Sequence, residues 1–238
     1  MKAWRLHASL PSGTKPTAEK VWESVLRWEE VGLPPLPPTH VRVQIQAAAL
    51  NRRDLWIGLG LYPGIQYPAI LGSDGCGKVV GVGNKADTTL LGKTVLLNPS
   101  LEWGDREEVQ SENYHILGMP TAGTLAEFVD IPAENVHPIP EHLTPAEAAA
   151  IPLAGLTAYR ATFVQGKLQP GQKVLIPGIG GGVAVWALQL AVAAGAEVWV
   201  LSSHPDKITK AQQLGAQGGM LYTQPDWSQQ LATKAGPF

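Results

Sequence analysis

Among the five residues from 178 to 182, four are glycine, Gly178, Gly180, Gly181 and Gly182, and they are the clearest chemical signal in the chain. They lie in KVLIPGIGGGVAVWALQLA, where a short β-like run passes straight into the glycines and then into an apolar stretch of helical length opening at Val183. Glycine allows the sharp turn, lets the backbone approach a phosphate with no Cβ in the way, and leaves free N–H groups at a helix N-terminus aimed at an anion. Ala184 takes the third small position, where helix packs on strand. Strand, glycines and helix together predict a dinucleotide-binding turn.

The next apolar run ends in VLSSHPDKI. An acidic residue there would hold the ribose 2′-hydroxyl of NAD, but the chain has Ser202 and Ser203, followed by Lys207, a cation suited to a 2′-phosphate. NADP(H) is therefore preferred over NAD(H), with Asp206 beside the lysine weighing the other way. Elsewhere, Asn51 and Asp54 stand where they can cap a helix over Arg52 to Gly58. Cys76 is the only cysteine and the six histidines lack metal-ligand spacing, so the sequence offers neither an intrachain disulfide nor a thiolate-rich metal centre.

The composition is that of a folded, turn-rich chain. Of 238 residues, 45% are hydrophobic and only 16% charged, which excludes bulk disorder, while 26 Gly and 20 Pro favour loops. The net charge is -2 with no basic block, which argues against nucleic acid as a partner. No signal-like N-terminus is seen, and the longest apolar stretch, Val183 to Ala196, reads as a buried helix and not a membrane span. These features predict a cytoplasmic protein with a small-molecule substrate.

Two domains are expected, 1–145 and 146–238. The first is a series of short β-like runs: 41–47 with alternating apolar residues, then 78–82, 94–97 and 125–131. Two polar segments interrupt it, 11–23 and the long excursion 98–123. In the second, strand-like runs at 173–177, 197–202 and 220–222 alternate with helical runs at 183–194, 205–214 and 226–234, the pattern of a parallel α/β sheet.

Five blocks in order, AAALNRRDLWIGLGLYPG, PAILGSDGCGKVVGVG, GTLAEFVDIPAENVHPIP, AAAIPLAGLTAYRA and the glycine-rich block ending GAEVWVLSS, resemble the medium-chain dehydrogenase/reductase superfamily in its zinc-free, quinone-oxidoreductase-like branch. The resemblance implies a GroES-like β-barrel-type catalytic domain followed by a partial Rossmann domain, a doubly wound parallel sheet, with the reaction in the cleft between them. It implies that Asn51 and Tyr62 line the substrate and nicotinamide pocket, with Asp54 beside them as a third candidate catalytic residue. Thr157 would touch the cofactor, and Tyr222 would stack near its adenosine half. Val183 belongs to the same cofactor-binding turn as the glycines. Positions that hold catalytic zinc in the zinc-dependent branch match Asn51, Ser73 and Ala154, with Asp74 beside them, and the excursion that matches the structural-zinc lobe has no cysteine. Zinc is therefore not expected.

Without a Lewis acid, the implied reaction is hydride transfer from NADPH to a quinone or an α,β-unsaturated carbonyl. A catalytically silent NADP(H)-binding module and a zinc-type alcohol dehydrogenase with unusual ligands are the alternatives. A complete doubly wound domain has six strands, and residues 172–238 supply about three. The sequence thus predicts a fragment of a longer enzyme with impaired hydride transfer. Its first Rossmann strand would be left as an edge, favouring a homo-oligomer or a complementing C-terminal segment.

Overall fold

The structure, a computed structural model, describes residues 1–15 and 22–238. The segment 16–21, inside the first polar insertion, lies outside the described residues. The chain divides into two compact units, Met1–Leu153 and Ala154–Phe238.

Unit 1 is built of antiparallel strands. β1 (Lys2–Leu6) pairs with β2 (Leu26–Glu30), placing Trp4 opposite Trp28, and on its other side with β4 (Ala69–Ile70). A five-stranded sheet in the order β10-β6-β5-β3-β9 forms the larger part. Its strands are β3 (His40–Ala49), β5 (Asp74–Val82), β6 (Thr94–Leu97), β9 (Phe128–Pro132) and β10 (Val136–Pro138). The period of two in β3 has its cause here, since Val41 and Val43 are fully buried against Val79, Val95, Leu97 and Ile131 while Arg42 points outward to Asp130. Each such aliphatic side chain withdrawn from water contributes about 1.5–3 kcal/mol. Helix α1 (Arg52–Gly58) follows β3, and α2 (Pro145–Ala149) closes the unit. Thr144 caps α2 through a reciprocal pair with Glu147, and Ala148 and Ala149 pack on Cys76. That packing keeps α2 with the β unit, although the apolar helical texture of the sequence already begins at Pro145.

The 98–123 excursion is a folded lobe closed by its own side chains. Strands β7 (Ser100–Leu101) and β8 (His115–Ile116) pair at its base. Above them Trp103 and Tyr114 meet edge to face with ring centroids 5.0 Å apart, and Ser111 Oγ donates to the Glu102 carbonyl at 2.6 Å. Polar, aperiodic sequence hid this because the order comes from one aromatic pair and hydroxyl–backbone bonds, which have no period.

Unit 2 holds a parallel sheet in the order β11-β12-β13, formed by β11 (Lys173–Ile176), β12 (Glu197–Ser202) and β13 (Gly218–Leu221). Helix α3 (Pro152–Tyr159) starts at the end of unit 1 and passes into a π-helical turn, Arg160–Gln165; α4 (Gly182–Ala193), α5 (Pro205–Gln213) and α6 (Trp227–Ala235) follow the three strands. Central β12 is apolar from Val198 to Leu201 because both its faces are covered: Val198 and Val200 pack with Leu188, Ala191 and Ala211, and Trp199 and Leu201 with Leu231 and Ala235. No described helix is long and apolar enough to cross a membrane.

Candidate functional sites

The glycine turn of unit 2 links β11 to α4. Gly178 and Gly180 have φ of +69° and +115°, conformations that side-chain-bearing residues rarely adopt, while Gly181 is extended and caps α4. Among the described residues no side chain caps α4, which leaves its first-turn N–H groups for a ligand. A Cβ at Gly178 or Gly181 would meet nothing within 4 Å, whereas Gly182 lies against Ala154, where a Cβ would come within 3.3 Å of its methyl. The turn is thus closed on the helix side and open on the other. Val183, in the first helical turn, is 41% exposed.

Lys207, in the first turn of α5, folds back over this turn. A Cβ built at Gly180 would stand 3.0 Å from Lys207 Cδ and 3.5 Å from its Nζ. Its ammonium therefore sits beside the glycine turn. The two serines have separate roles. Ser202 is buried and its Oγ accepts the His204 amide at 3.1 Å, shaping the turn, while Ser203 is half-buried. Tyr222 is 47% exposed at the end of β13, its amide donating to the Ser202 carbonyl, and Thr157 is exposed on α3.

In unit 1 the candidate residues converge on the start of α1. Asp54 is buried and both its oxygens are engaged: Oδ2 accepts the Asn51 amide at 2.8 Å and Oδ1 the Gly72 amide at 3.1 Å. It ties the helix start to the turn before β5. The Asn51 side chain also reaches Asp74, its Nδ2 donating to Asp74 Oδ2 at 2.9 Å. Asp74, 1% exposed, also accepts the Leu153 amide on Oδ1 at 2.8 Å. Burial, with a smaller contribution from the Asp54 charge, pushes its carboxyl up to about 6 against the two hydrogen bonds. Cys76 is buried, and that burial raises its thiol pKa, so it is held in the unreactive form.

Arg53 is the residue that sequence reasoning missed. Only 7% exposed, its guanidinium donates to the carbonyls of Met119 (2.5 Å), Leu117 (3.4 Å) and Ile116 (3.5 Å) and to Ser73 Oγ (3.3 Å), while its Nε has no partner among the described residues. It lies over the Tyr62 ring at 5.1 Å, so Tyr62 is engaged by a cation and packs with the β1–β4 core. Arg53 thereby fastens the closing turn of the 98–123 lobe to α1. The only sequence signal for it was the doubled arginine in NRRD.

A cavity of about 310 Å³ opens beside Asn51. Trp22, Leu26, Leu55, Leu71 and Leu125 supply apolar wall, and Asn51 and Asp54 the polar edge. Tyr62 does not line it. The zinc-ligand positions do not fit a metal: Ser73 Oγ faces the Arg53 guanidinium, a neighbour that repels a dication, and the Asn51 amide is turned to Asp74. Among the described residues no three His, Cys, Asp or Glu side chains gather as a metal-ligand set.

A fold of this kind has known relatives. The alcohol dehydrogenase GroES-like domain model matches residues 37–141. A zinc-type alcohol dehydrogenase-like protein, YogA, of Leptosphaeria maculans is 38% identical over 207 residues, covering 83% of this chain and 58% of the relative. A crystal structure of an NAD-dependent alcohol dehydrogenase is 35% identical with a TM-score of 0.87, covering 99% of this chain and 68% of that one. The quinone oxidoreductase of Thermus thermophilus, solved also in complex with NADPH, is 28% identical with a TM-score of 0.68, covering 94% and 60%. The chain belongs to the medium-chain dehydrogenase/reductase superfamily, with a GroES-like domain and a Rossmann-type sheet. It spans about three fifths of the length of the curated relatives it matches first, 58% and 60%.

Proposed function

We propose that the chain is the substrate- and cofactor-binding part of a reductase that uses NADPH, without zinc, to reduce a quinone or an α,β-unsaturated carbonyl. The observation that carries the cofactor reading is Lys207 lying over the open glycine turn, with a neutral Ser202–Ser203 pair at the end of the preceding strand. The free N–H groups of α4 and Gly181 suit a pyrophosphate, the Lys207 ammonium suits a 2′-phosphate, and Tyr222 and Ser203 stand exposed or half-exposed at the same strand ends. A bound nicotinamide supplies the hydride. Asn51 lines the apolar cavity, where an amide N–H suits an oxygen that gains negative charge, and Asp54 and Asp74 hold that side chain and its backbone in place. The Arg53–Ser73 contact favours chemistry without a metal at that point.

Relatives divide on the cofactor, one being NAD-dependent and another solved with NADPH, which makes NADH the second reading. Titration of the purified chain with each nucleotide, followed by cofactor fluorescence, tests the choice. Lys207→Ala should weaken NADPH tenfold to a hundredfold, the roughly 1.5–3 kcal/mol of a hydrogen bond to a charged group, and NADH less than about threefold. Equal losses for the two would show that the lysine meets the pyrophosphate and would remove the case for NADPH. Saturable binding without turnover on quinones and enones would favour a silent binding module.

A further inference from the structure

We propose that the cavity of unit 1 seats the apolar portion of a neutral carbonyl compound, and that Trp22 is the residue that decides which compounds enter. The carbonyl chemistry rests on the reductase reading above; the shape and charge of the cavity do not. Five leucines and one tryptophan line it, beside only Asn51 and Asp54. Both Asp54 oxygens are already occupied by backbone amides, and one of the two Asn51 amide hydrogens is given to Asp74. The second Asn51 amide hydrogen is the donor left for a ligand. The polar edge thus suits an acceptor such as a carbonyl oxygen. Its charge is wrong for an anion, because Asp54 is there and no Lys, Arg or His is among the described lining residues. At about 310 Å³ the cavity is at the small end for organic ligands, enough for a compact aryl or alkyl group.

Trp22 comes from the polar insertion between β1 and β2, and its placement is fixed from α1. Its six-membered ring lies on Gly58, where any Cβ would overlap it, and the Leu10 amide donates to the Gly58 carbonyl at 2.7 Å. The connection between β1 and β2 thus meets the end of α1 at Leu10 and at Trp22, and the indole joins Leu55 and Leu71 in the cavity lining. Glycine at position 58, the last residue of α1, is accounted for by this contact, which leaves no room for a Cβ.

The test is titration of the whole chain, without cofactor, with benzylideneacetone and with cinnamate, its near-isosteric anion, followed by calorimetry and ligand-observed NMR. The neutral enone should bind one to one, and cinnamate at least about tenfold more weakly. Trp22→Ala should weaken the enone about tenfold, and Leu26→Trp, which fills the cavity, should abolish binding; circular dichroism establishes that each variant is folded, and either one alone decides. No enone binding, equal binding of the anion, or a folded variant of either kind that binds like the parent would overturn the proposal. Loss of the cavity claim with NADPH binding intact leaves the cofactor reading standing, and the reverse holds, because the cavity lies wholly within unit 1.

Discussion

Asp74→Asn removes the buried carboxylate that holds the Asn51 side chain, and its effect on stability should depend on pH. The folded chain raises this carboxyl from an ordinary 3.8 to about 6, so the folded state holds the proton more tightly than the unfolded chain. The stability that comes with protonated Asp74 is complete below pH about 4 and is lost as pH rises through about 6. At pH 8 the ionised group costs the fold about 3 kcal/mol, and at pH 5 about half of that. Asparagine carries no such cost, but it offers one carbonyl oxygen to two donors, Asn51 Nδ2 and the Leu153 amide, and the orphaned donor costs about 1–3 kcal/mol. The stability of the variant relative to the parent should therefore rise by about 1.5 kcal/mol between pH 5 and pH 8, and at pH 8 it should equal or exceed that of the parent. Urea unfolding of both proteins at the two pH values measures this directly, since groups common to both cancel in the difference. The same stability difference between the two proteins at pH 5 and pH 8 would refute the reasoning and show that Asp74 is not a strained acid in the fold.

Two further substitutions separate folding from binding. Gly181→Ala should leave stability within about 0.5 kcal/mol of the parent, because the backbone is extended and the new methyl meets nothing within 4 Å, yet it should weaken NADPH at least about tenfold by occupying the phosphate approach. Unchanged nucleotide affinity in calorimetry would place the phosphates elsewhere. Trp103→Ala should cost about 1 kcal/mol and expose the 98–123 lobe to limited proteolysis, because the Trp103–Tyr114 pair closes it. A cleavage pattern identical to the parent's would show that Ser111 and the β7–β8 pair suffice.

Much of the second unit could be read directly from the sequence. A strand, four glycines and an apolar helix are local signals, and β11, α4 and β12 fall within a residue or two of where periodicity put them. The alternation of β3 was equally plain, because one face of the sheet meets a core and the other meets water. Pairing partners were not legible: nothing local says that β1 lies between β2 and β4, or that β3 sits between β5 and β9, since those are contacts between distant segments. The same reason hid the site in unit 1. The sequence placed Asn51 and Asp54 at a helix start, and that is where they are, but only the fold brings Asp74 onto Asn51 and Leu153, and buries Arg53 under the 116–119 turn. Lys207 belongs to the same class: its charge was visible in the sequence, whereas its stem lying across Gly180 depends on the packing of α5 beside the glycine turn. Residue type and short-range spacing determined which chemistry was on offer. Tertiary packing decided which groups are buried, which acid is raised, and which hydrogen atoms are left for a ligand.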